Sequence, residues 1–393
     1  ALPILKQQAT CLITMDLDFG WIFIGLPMAF VLGWLASRMD LRQLRLENRS
    51  NPKAYFKGLN HLLNEQQDQA IDAFIEAVQR DPDTSELHFA LGNLFRRRGE
   101  FERAVRVHQH LLARADLSQA DRERAQHDLA LDFVKAGILD RAEAALQPLL
   151  STPLAPQALL ALLSIYERSR DWRQAADITR QLDQHNQGDF SVRRAHYLCE
   201  LAAQANHSDQ AESLLKEAIQ SAPHHARPRM ALAAWLERQA QPALACDQLQ
   251  TLAQTVPAAV PLIAASLARL APLVHRQIPV LTLLQDSYHS LQSLDVLEAI
   301  VQLQTQMGEP AGQDLFAMHL DHHPSLLAAH HLLADLRPAP THLPQLQRAL
   351  GHAAKPLQRY RCAACGFEAL QHFWQCPGCQ AWDSYPPRRI EEL

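Results

Sequence analysis

The sequence predicts an all-α protein built from stacked helix pairs, and two observations carry this prediction. Glycine is scarce, with 13 in 393 residues, and runs of alternating Val, Ile and Thr are missing from the sequence, so β-sheet is disfavoured. From about residue 51 the chain also repeats itself with a period of thirty-four residues. Such a period indicates helix pairs that each bury an apolar face against the next pair.

The N-terminal region predicts a membrane-spanning helix after a short tail, residues 1–18, in which Met15 has the character of a natural start. Residues 19–37 contain no charged side chain, and at about 1.5 Å per residue this length crosses a bilayer core. Trp21 and Trp34 lie near its two ends, where indole rings favour the membrane interface. A cleaved signal peptide fits less well, because only one base, Lys6, precedes the stretch.

An arginine-rich segment, residues 38–50, follows the predicted span. Arg38, Arg42, Arg45 and Arg49 are spaced four, three and four apart, so they share one face of a continuing helix. On a soluble helix this stripe would be a solvated face. Next to a membrane span, the positive-inside rule places it in the cytoplasm, where it can also contact lipid phosphates. We therefore expect the bulk of the chain to face the cytoplasm.

Residues 51–337 carry the repeats. Four positions of the first unit recur thirty-four residues later: Gly58, Ala70, Phe74 and Ala77 return as Gly92, Ala104, His108 and Leu111. This is the tetratricopeptide pattern, in which small residues let two antiparallel helices approach closely. Four further units are marked by Ala142, Ala175, Ala211 and Ala245, and two or three degenerate repeats follow them. Residues 338–356 contain four prolines and predict a linker.

The first helix of each pair lines the concave face of such an array, and there we expect a groove for a partner peptide or helix. In the second and third units the residues predicted on this face are Phe89, Asn93, Arg96, His127 and Lys135. Asn and basic side chains are suited to hold backbone or carboxylate groups of a partner. For any one of them, an ordinary solvated side chain is the alternative interpretation.

Residues 357–393 predict a small metal-binding module. Cys362 and Cys365 form one Cys-x-x-Cys pair, and Cys376 and Cys379 form a second. Two such pairs aim four thiolates at one tetrahedral point, which both zinc and iron accept. Because the protein fills all four positions, we expect one structural rather than catalytic metal ion. The aromatic residues expected to pack around it are Phe367, Phe373, Trp374 and Trp382.

Composition disfavours several other classes of protein. A net charge of −5 is unlike that of a general nucleic-acid binder. Cys11, Cys199 and Cys246 stand alone, and unpaired thiols beside a thiolate metal site indicate a reducing compartment. The sequence has no phosphate-binding glycine loop, nucleophile elbow or His-Glu-x-x-His motif, so we predict no enzymatic activity. The 20 histidines show no ligand spacing typical of a second metal site.

The order of these parts resembles the lipopolysaccharide assembly protein B family of Gram-negative bacteria. The most specific matching stretches are residues 51–66, NPKAYFKGLNHLLNEQ, and the four cysteines of the two knuckles. The resemblance implies a single-pass inner-membrane adaptor that regulates lipopolysaccharide biosynthesis without enzymatic activity of its own. Members of that family help the membrane ATP-dependent protease FtsH degrade the lipid A deacetylase LpxC, and they are thought to link lipopolysaccharide synthesis to its transport.

Two alternative functions stay open at this point. One is a rubredoxin-like electron-transfer protein with iron at the four thiolates, although ten residues between Cys365 and Cys376 is a short spacing for that activity. The other is a generic tetratricopeptide scaffold of another envelope assembly. A homodimer is a further option for either function.

Overall fold

A computed structural model describes residues 27–35, 52–80, 84–185, 188–309, 312–334 and 343–393. Of the predicted membrane span, residues 27–35 form a helix, α1, with Met28, Phe30 and Trp34 exposed. The rest of that span, the tail 1–18 and the arginine stripe of 38–50 lie outside the described residues.

One stretch within the described residues, Pro257–Val274, is long and apolar enough to cross a membrane. Half of it is buried inside the protein, however, and Ile263 and Leu267 belong to the hydrophobic core. Burial of this kind is typical of a core helix in a water-soluble array, which passes the same test of length and composition.

The chain divides into two compact units, Ala1–Leu154 and Ala155–Leu393. From residue 52 onward, the first unit contains three helix pairs and a short 3₁₀ helix, Gln147–Ser151. The helices are α2 (Pro52–Leu63), α3 (Gln67–Arg80), α4 (Ser85–Arg98), α5 (Phe101–Ala113), α6 (Gln119–Ala136) and α7 (Leu139–Leu146). Gly99 and Gly137 end α4 and α6 in the left-handed conformation, with φ of 84° and 79°, which is where glycine has the lowest conformational cost.

The thirty-four-residue register predicted from the sequence is confirmed by close approaches within the first two pairs. A Cβ atom on Gly58 would lie 2.9 Å from the ring of Phe74, and one on Gly92 would lie 2.5 Å from the ring of His108. Real Cβ atoms do not come so close, so both positions need glycine. All eight residues of the pattern are buried.

The second unit contains the remaining helices and the C-terminal module. Its helices are α8 (Ala155–Ser169), α9 (Trp172–Gln184), α10 (Ser191–Gln204), α11 (Ser208–Ser221), α12 (Ala226–Arg238), α13 (Pro242–Thr255), α14 (Val260–Leu270), α15 (Gln277–Leu291), α16 (Leu294–Gln306), α17 (Gly312–His322), α18 (Leu326–Ala334) and α19 (Leu343–Ala354). The later repeat markers Ala142, Ala175, Ala211 and Ala245 are all buried, as the repeat pattern requires.

The predicted linker, residues 338–356, is wrong for most of its length, because α19 occupies Leu343–Ala354. Ala354 packs in one cluster with Leu327 and Ala328 of α18. Proline does not prevent this helix. Pro344 lies in the first turn, where the N–H that it lacks would have no intrahelical partner, and Pro356 comes after the last turn. The prediction of a linker used the number of prolines and did not consider where in a helix each one lies.

The C-terminal module has a two-stranded antiparallel sheet, β1 (Tyr360–Arg361) and β2 (Glu368–Ala369), with Tyr360 opposite Ala369. A single bridge joins Gln375 and Trp382. Each of these two pairings encloses one Cys-x-x-Cys turn, and the two turns lie side by side. The buried core of the module includes Tyr360 and Tyr385, against which Leu262 of α14 packs.

Candidate metal centre

The four cysteine sulfur atoms converge on one point. Cys362 Sγ lies 3.8 Å from Cys379 Sγ, Cys365 Sγ lies 3.7 Å from Cys376 Sγ, and all four atoms are within 4.8 Å of one another. Four sulfurs arranged tetrahedrally at about 2.3 Å from a metal are separated by about 3.8 Å, whereas a disulfide needs about 2.05 Å. The donor set therefore fits one zinc or iron ion, as predicted from the sequence.

The two turns have the same backbone design. Gly366 N–H donates to Cys362 O, and Gln380 N–H donates to Cys376 O, both at 2.8 Å. These two donors also have left-handed backbones, with φ of 77° and 60°. Glycine adopts that conformation readily and glutamine does not, so the second turn is the more strained of the two. Gly378 in the second turn faces Phe367, whose ring atoms would lie 3.3 Å from an added Cβ.

Hydrogen bonds to sulfur favour the thiolate that a metal requires. Burial raises the pKa of the Cys362 thiol, but hydrogen bonding with the Ser384 side chain and with the amides of Cys365 and Ala364 lowers it to about 6. Ser384 Oγ lies 3.2 Å from Cys362 Sγ. Thiols must lose their protons to bind metal, so this environment supports coordination.

The pKa of Cys365 shows why the site needs a cation. The amide of Phe367 lowers the pKa of Cys365, but burial and the sulfurs around it raise that pKa to about 12. Four adjacent thiolates repel one another, and a bound divalent ion removes that repulsion. When bound, the metal would serve as a structural cross-link between the two turns, since protein fills all four positions.

Immediately after the second turn, the module contacts the repeat array through Trp382 and Asp383. The carboxylate of Asp383 accepts hydrogen bonds from His196 at 2.8 Å and from His225 at 3.1 Å. The indole of Trp382 stacks on His196 with 4.6 Å between ring centroids, and its Nε1 donates to Glu167 at 3.1 Å. The expectation that Trp382 packs around the metal is therefore replaced by a contact with α8 and α10.

His196, His225 and Asp383 have ligand atoms within 4.8 Å of one another, so we tested whether this cluster fits a second metal ion. Arg227 Nη1 lies 3.0 Å from His196 Nδ1, and the Arg227 amide donates to His225 Nδ1 at 3.4 Å. Each ring thus accepts at Nδ1 and carries its proton on Nε2, which donates to Asp383. A metal would need those Nε2 lone pairs, so the donor set does not fit one. We call these three residues the clasp.

Charge and burial stabilise the clasp in this protonation state. His196 is fully buried, and burial lowers its pKa, so the ring is neutral. Burial alone would raise the pKa of Asp383, but the hydrogen bonds from His196 and His225 hold it far below its usual value. A permanent carboxylate therefore accepts from the neutral ring of His196 and from His225, and a hydrogen bond to a charged acceptor is the stronger, charge-assisted kind.

The last residues of the chain make a second set of contacts with the array. Arg389 pairs with Asp295 of α16 at 2.8 Å. Glu392 Oε1 accepts from the Leu294 amide at 2.6 Å, and Glu391 Oε1 accepts from the Leu326 amide at 2.6 Å. These carboxylates cap the first turns of α16 and α18, where helix amides have no intrahelical partner. The module thus contacts the five helices α8, α10, α12, α16 and α18, and we call this set of contacts the brace.

Of the predicted groove residues, Phe89 is in the wrong place for a partner contact. Its side chain is completely buried, clusters with Leu111 and Ala125, and has the guanidinium of Arg124 4.0 Å from its ring centroid. Phe89 therefore fills the core between helices. The misassignment arose because aromatic residues on the first helix of a repeat serve the core as well as the concave face.

Arg96 is engaged by two carboxylates that sequence reasoning missed. Its guanidinium lies 2.9 Å from Asp128 and 2.9 Å from Asp132, and it also contacts Asn93. Asp128 and Asp132 are four residues apart, a spacing that places both on one face of α6 and that could have revealed them. His127 is half-buried and Lys135 is exposed. Whether this face binds a partner stays a prediction.

Sequence comparisons identify both parts of the chain. Residues 360–386 match the family profile described as a rubredoxin metal binding domain, and residues 87–123 match that of the tetratricopeptide repeat. A tetratricopeptide repeat protein from Parabacteroides merdae ATCC 43184 aligns in structure with a TM-score of 0.36 at 14% identity, over 65% of this chain and 99% of that one.

Two curated relatives align along nearly their whole length. Lipopolysaccharide assembly protein B of Escherichia coli K12 is 31% identical over 389 residues, which cover 94% of this chain and 98% of that protein. The protein of the same name from Haemophilus influenzae is 29% identical over 410 residues, with the same coverage. The resemblance found in the sequence is confirmed, and the chain belongs to the lipopolysaccharide assembly protein B family.

Proposed function

We propose that this protein is a non-catalytic adaptor of the inner membrane that acts in lipopolysaccharide assembly. In this proposal it promotes degradation of the lipid A deacetylase LpxC by the membrane protease FtsH, and it links lipopolysaccharide synthesis to transport. The observation that carries the proposal is the end-to-end similarity to lipopolysaccharide assembly protein B, at 31% identity over 94% of the chain.

The structure of the second unit supports a scaffold. Helix pairs present extended surfaces for protein partners, and the metal module makes hydrogen bonds with five helices of the array. A metal with four protein ligands stabilises such a brace without taking part in a reaction. An adaptor needs no reaction of its own, because holding protease and substrate on one scaffold raises their effective concentration.

A membrane anchor at residues 19–37 fits this role, with Arg38, Arg42, Arg45 and Arg49 on its cytoplasmic side. Within that segment, Phe30 of α1 is 74% exposed to solvent and Met28 is 62% exposed. Large apolar side chains exposed in a row are stabilised by lipid rather than by water. The anchor would confine the adaptor to the plane in which a membrane protease works.

The test is the half-life of the deacetylase in cells that carry this protein as their sole adaptor. We expect the half-life to lengthen when Cys376 and Cys379 are both changed to Ser, because the brace then loses its metal. Leu370→Ala, an exposed residue of the same module, is the matched control and should leave the half-life unchanged. An equal half-life with and without the whole protein would exclude the proposal.

The electron-transfer alternative is tested on the same purified protein. A visible absorbance band with a reversible one-electron couple would favour it. A colourless, zinc-loaded protein that still shortens the half-life of the deacetylase would exclude it. Co-purification of the protease and the deacetylase in mild detergent, weakened by the double cysteine variant, would support the adaptor.

A further inference from the structure

The four cysteines of the metal centre differ in their exposure to solvent. Of the six cysteines that the structure describes, Cys365 and Cys379 are exposed and the other four are buried. Cys362 and Cys376 are each only 1% exposed. In each turn, therefore, the second cysteine is exposed to solvent and the first one is buried. A reagent in solution reaches the metal centre through Cys365 and Cys379.

The same cysteines also differ in the hydrogen bonds that their sulfurs make. Cys362 accepts from two amides and is also hydrogen-bonded to Ser384, and Cys376 accepts from the amides of Cys379 and Gly378, whereas Cys365 accepts from the amide of Phe367. Each hydrogen bond withdraws electron density from sulfur and makes it a weaker nucleophile. Cys365 is therefore both more accessible and less hydrogen-bonded than the sulfur of its own turn, Cys362.

Two pairs of close sulfur neighbours lie in opposite turns. Exposed Cys365 is 3.7 Å from buried Cys376, and exposed Cys379 is 3.8 Å from buried Cys362. Closing either pair to the S–S length of about 2.05 Å needs a shift of less than about 2 Å. Both pairs that connect the two turns are therefore close enough to form disulfides.

We propose that this metal centre is also an oxidation site, at which hydrogen peroxide converts the four metal thiolates into two disulfides between the turns. The thiolate of Cys365 attacks the peroxide, the O–O bond breaks, and the sulfur becomes a sulfenic acid while hydroxide leaves as water. The sulfur of Cys376 then attacks that sulfenic sulfur, an S–S bond forms, and a second water leaves. Each disulfide consumes two thiolates, one peroxide and two protons.

Loss of two thiolates leaves the metal with two protein ligands, so the ion dissociates. Cys379 and Cys362 then form the second disulfide in the same way with a second peroxide. Thiol reductant and metal reverse the process, because a disulfide is the reversible product of thiol oxidation. The proposal does not depend on which partners the repeat array binds.

The choice of cysteines that form disulfides determines whether the C-terminal module stays docked on the array. A disulfide from Cys365 to Cys376 joins the two turns as the metal did, so Trp382 and Asp383 keep their positions against α10. Disulfides within the turns, Cys362 to Cys365 and Cys376 to Cys379, would leave the turns free to separate. Oxidation therefore releases the metal while the module stays docked, whereas chelation of the metal releases both.

The test treats the zinc-loaded full chain with hydrogen peroxide and measures zinc release with a chromophoric chelator. The protein is then digested with trypsin and with a protease specific for Glu. Residues 362–388 contain no internal cleavage site for trypsin before Arg388, and Glu368 is their single glutamate. The digest therefore separates a fragment with Cys362 and Cys365 from one with Cys376 and Cys379, unless disulfides connect them.

We expect one zinc ion to be released for two peroxides consumed, with the two fragments still joined until thiol reductant is added. Fragments that separate without reductant would show pairing within the turns and would overturn the proposal. Retention of zinc while other cysteines oxidise would also overturn it. A chain with Cys11, Cys199 and Cys246 all changed to Ser is the control, and it should release zinc at the same rate as the natural sequence.

Discussion

The carboxylate of Asp383 accepts a hydrogen bond of 2.8 Å from the ring of His196, across 187 residues of sequence. Asp383 lies four residues after the last metal ligand, Cys379. His196 lies on α10 and has no exposed surface. Folding of the second metal turn therefore places the Asp383 carboxylate against a buried histidine of the repeat array. This contact couples the stability of the metal module to that of the array.

Asp383→Asn should weaken docking of the module on the array. The two histidines bond to different oxygens of Asp383, and asparagine replaces one of those oxygens with an NH₂ donor, so one ring N–H loses its partner in the interface. Because Asp383 is 36% exposed, we expect a modest cost of about 1–2 kcal/mol. Hydrogen–deuterium exchange of residues 372–388 measures it. The exposed Asp321 provides the control, Asp321→Asn, and equal exchange in both variants would contradict the role of the clasp.

Docking should weaken as the pH falls below about 6.5, the ordinary histidine pKa. Burial lowers the pKa of His196 in the docked state, so the undocked state binds the additional proton. The stabilisation is therefore complete above that pH and decreases below it, by at most about 1.4 kcal/mol per pH unit.

The charged groups around His196 fix the sign of this dependence. Asp383 stays ionised throughout the range because its pKa is held far below the usual value, and Arg227 stays cationic. Exchange of residues 372–388 measured from pH 7 to pH 5 gives the slope. His196→Gln should flatten it, and a variant that kept the full slope would assign the effect to another group.

Glu392→Gln should destabilise the start of α16 without unfolding the array. The carboxylate accepts from the Leu294 amide and from the Ser293 hydroxyl. A neutral amide is a weaker cap, and it lacks the charge that favours a helix N-terminus, so the expected cost is about 1 kcal/mol. Faster exchange of the Leu294 amide is the readout. Leu393→Ala, at an exposed neighbour, should leave that amide unchanged.

Asp132→Asn should destabilise the first unit more strongly. The carboxylate is fully buried, 2.6 Å from His108 Nδ1 and 2.9 Å from Arg96. Removing its charge leaves Arg96 with Asp128 as its remaining carboxylate, and we expect a loss of about 3 kcal/mol. Urea unfolding followed by exchange in α4–α6 measures it. Asp140→Asn, at an exposed site, is the control, and losses of equal size would rule out a special role for Asp132.

Removing the metal should release the C-terminal module from the array. Structural zinc contributes about 10 kcal/mol or more to small domains of this kind, and the two-stranded sheet alone cannot replace it. A chelator should therefore raise exchange at residues 360–392 and at the amides of Leu294 and Leu326, which Glu392 and Glu391 cap. Full protection of those amides in the metal-free chain would show that the module docks without its ion.

Local patterns predicted most of the architecture. The glycine and aromatic positions thirty-four residues apart identified the repeats, because close helix approach at Gly58 and Gly92 depends on the residue itself. The two Cys-x-x-Cys pairs identified the metal ligands for a similar reason, since the short spacing and the tight turns bring the sulfurs together within a few residues. These features depend on neighbours in sequence, so the sequence alone determined them.

The clasp and the buried network of Arg96 were decided by tertiary structure. His196, His225 and Asp383 belong to three distant segments, and no local spacing relates them. The stacking of helix pairs brings the two histidines together, and docking of the C-terminal module adds Asp383. Phe89 and residues 343–354 illustrate the same limit. Packing against α5 and α6 determined that Phe89 fills the core, and packing against α18 accompanies the helix at 343–354. The sequence therefore determined the repeats, the metal module and its ligands. Packing between residues far apart in sequence determined how the module is held on the array.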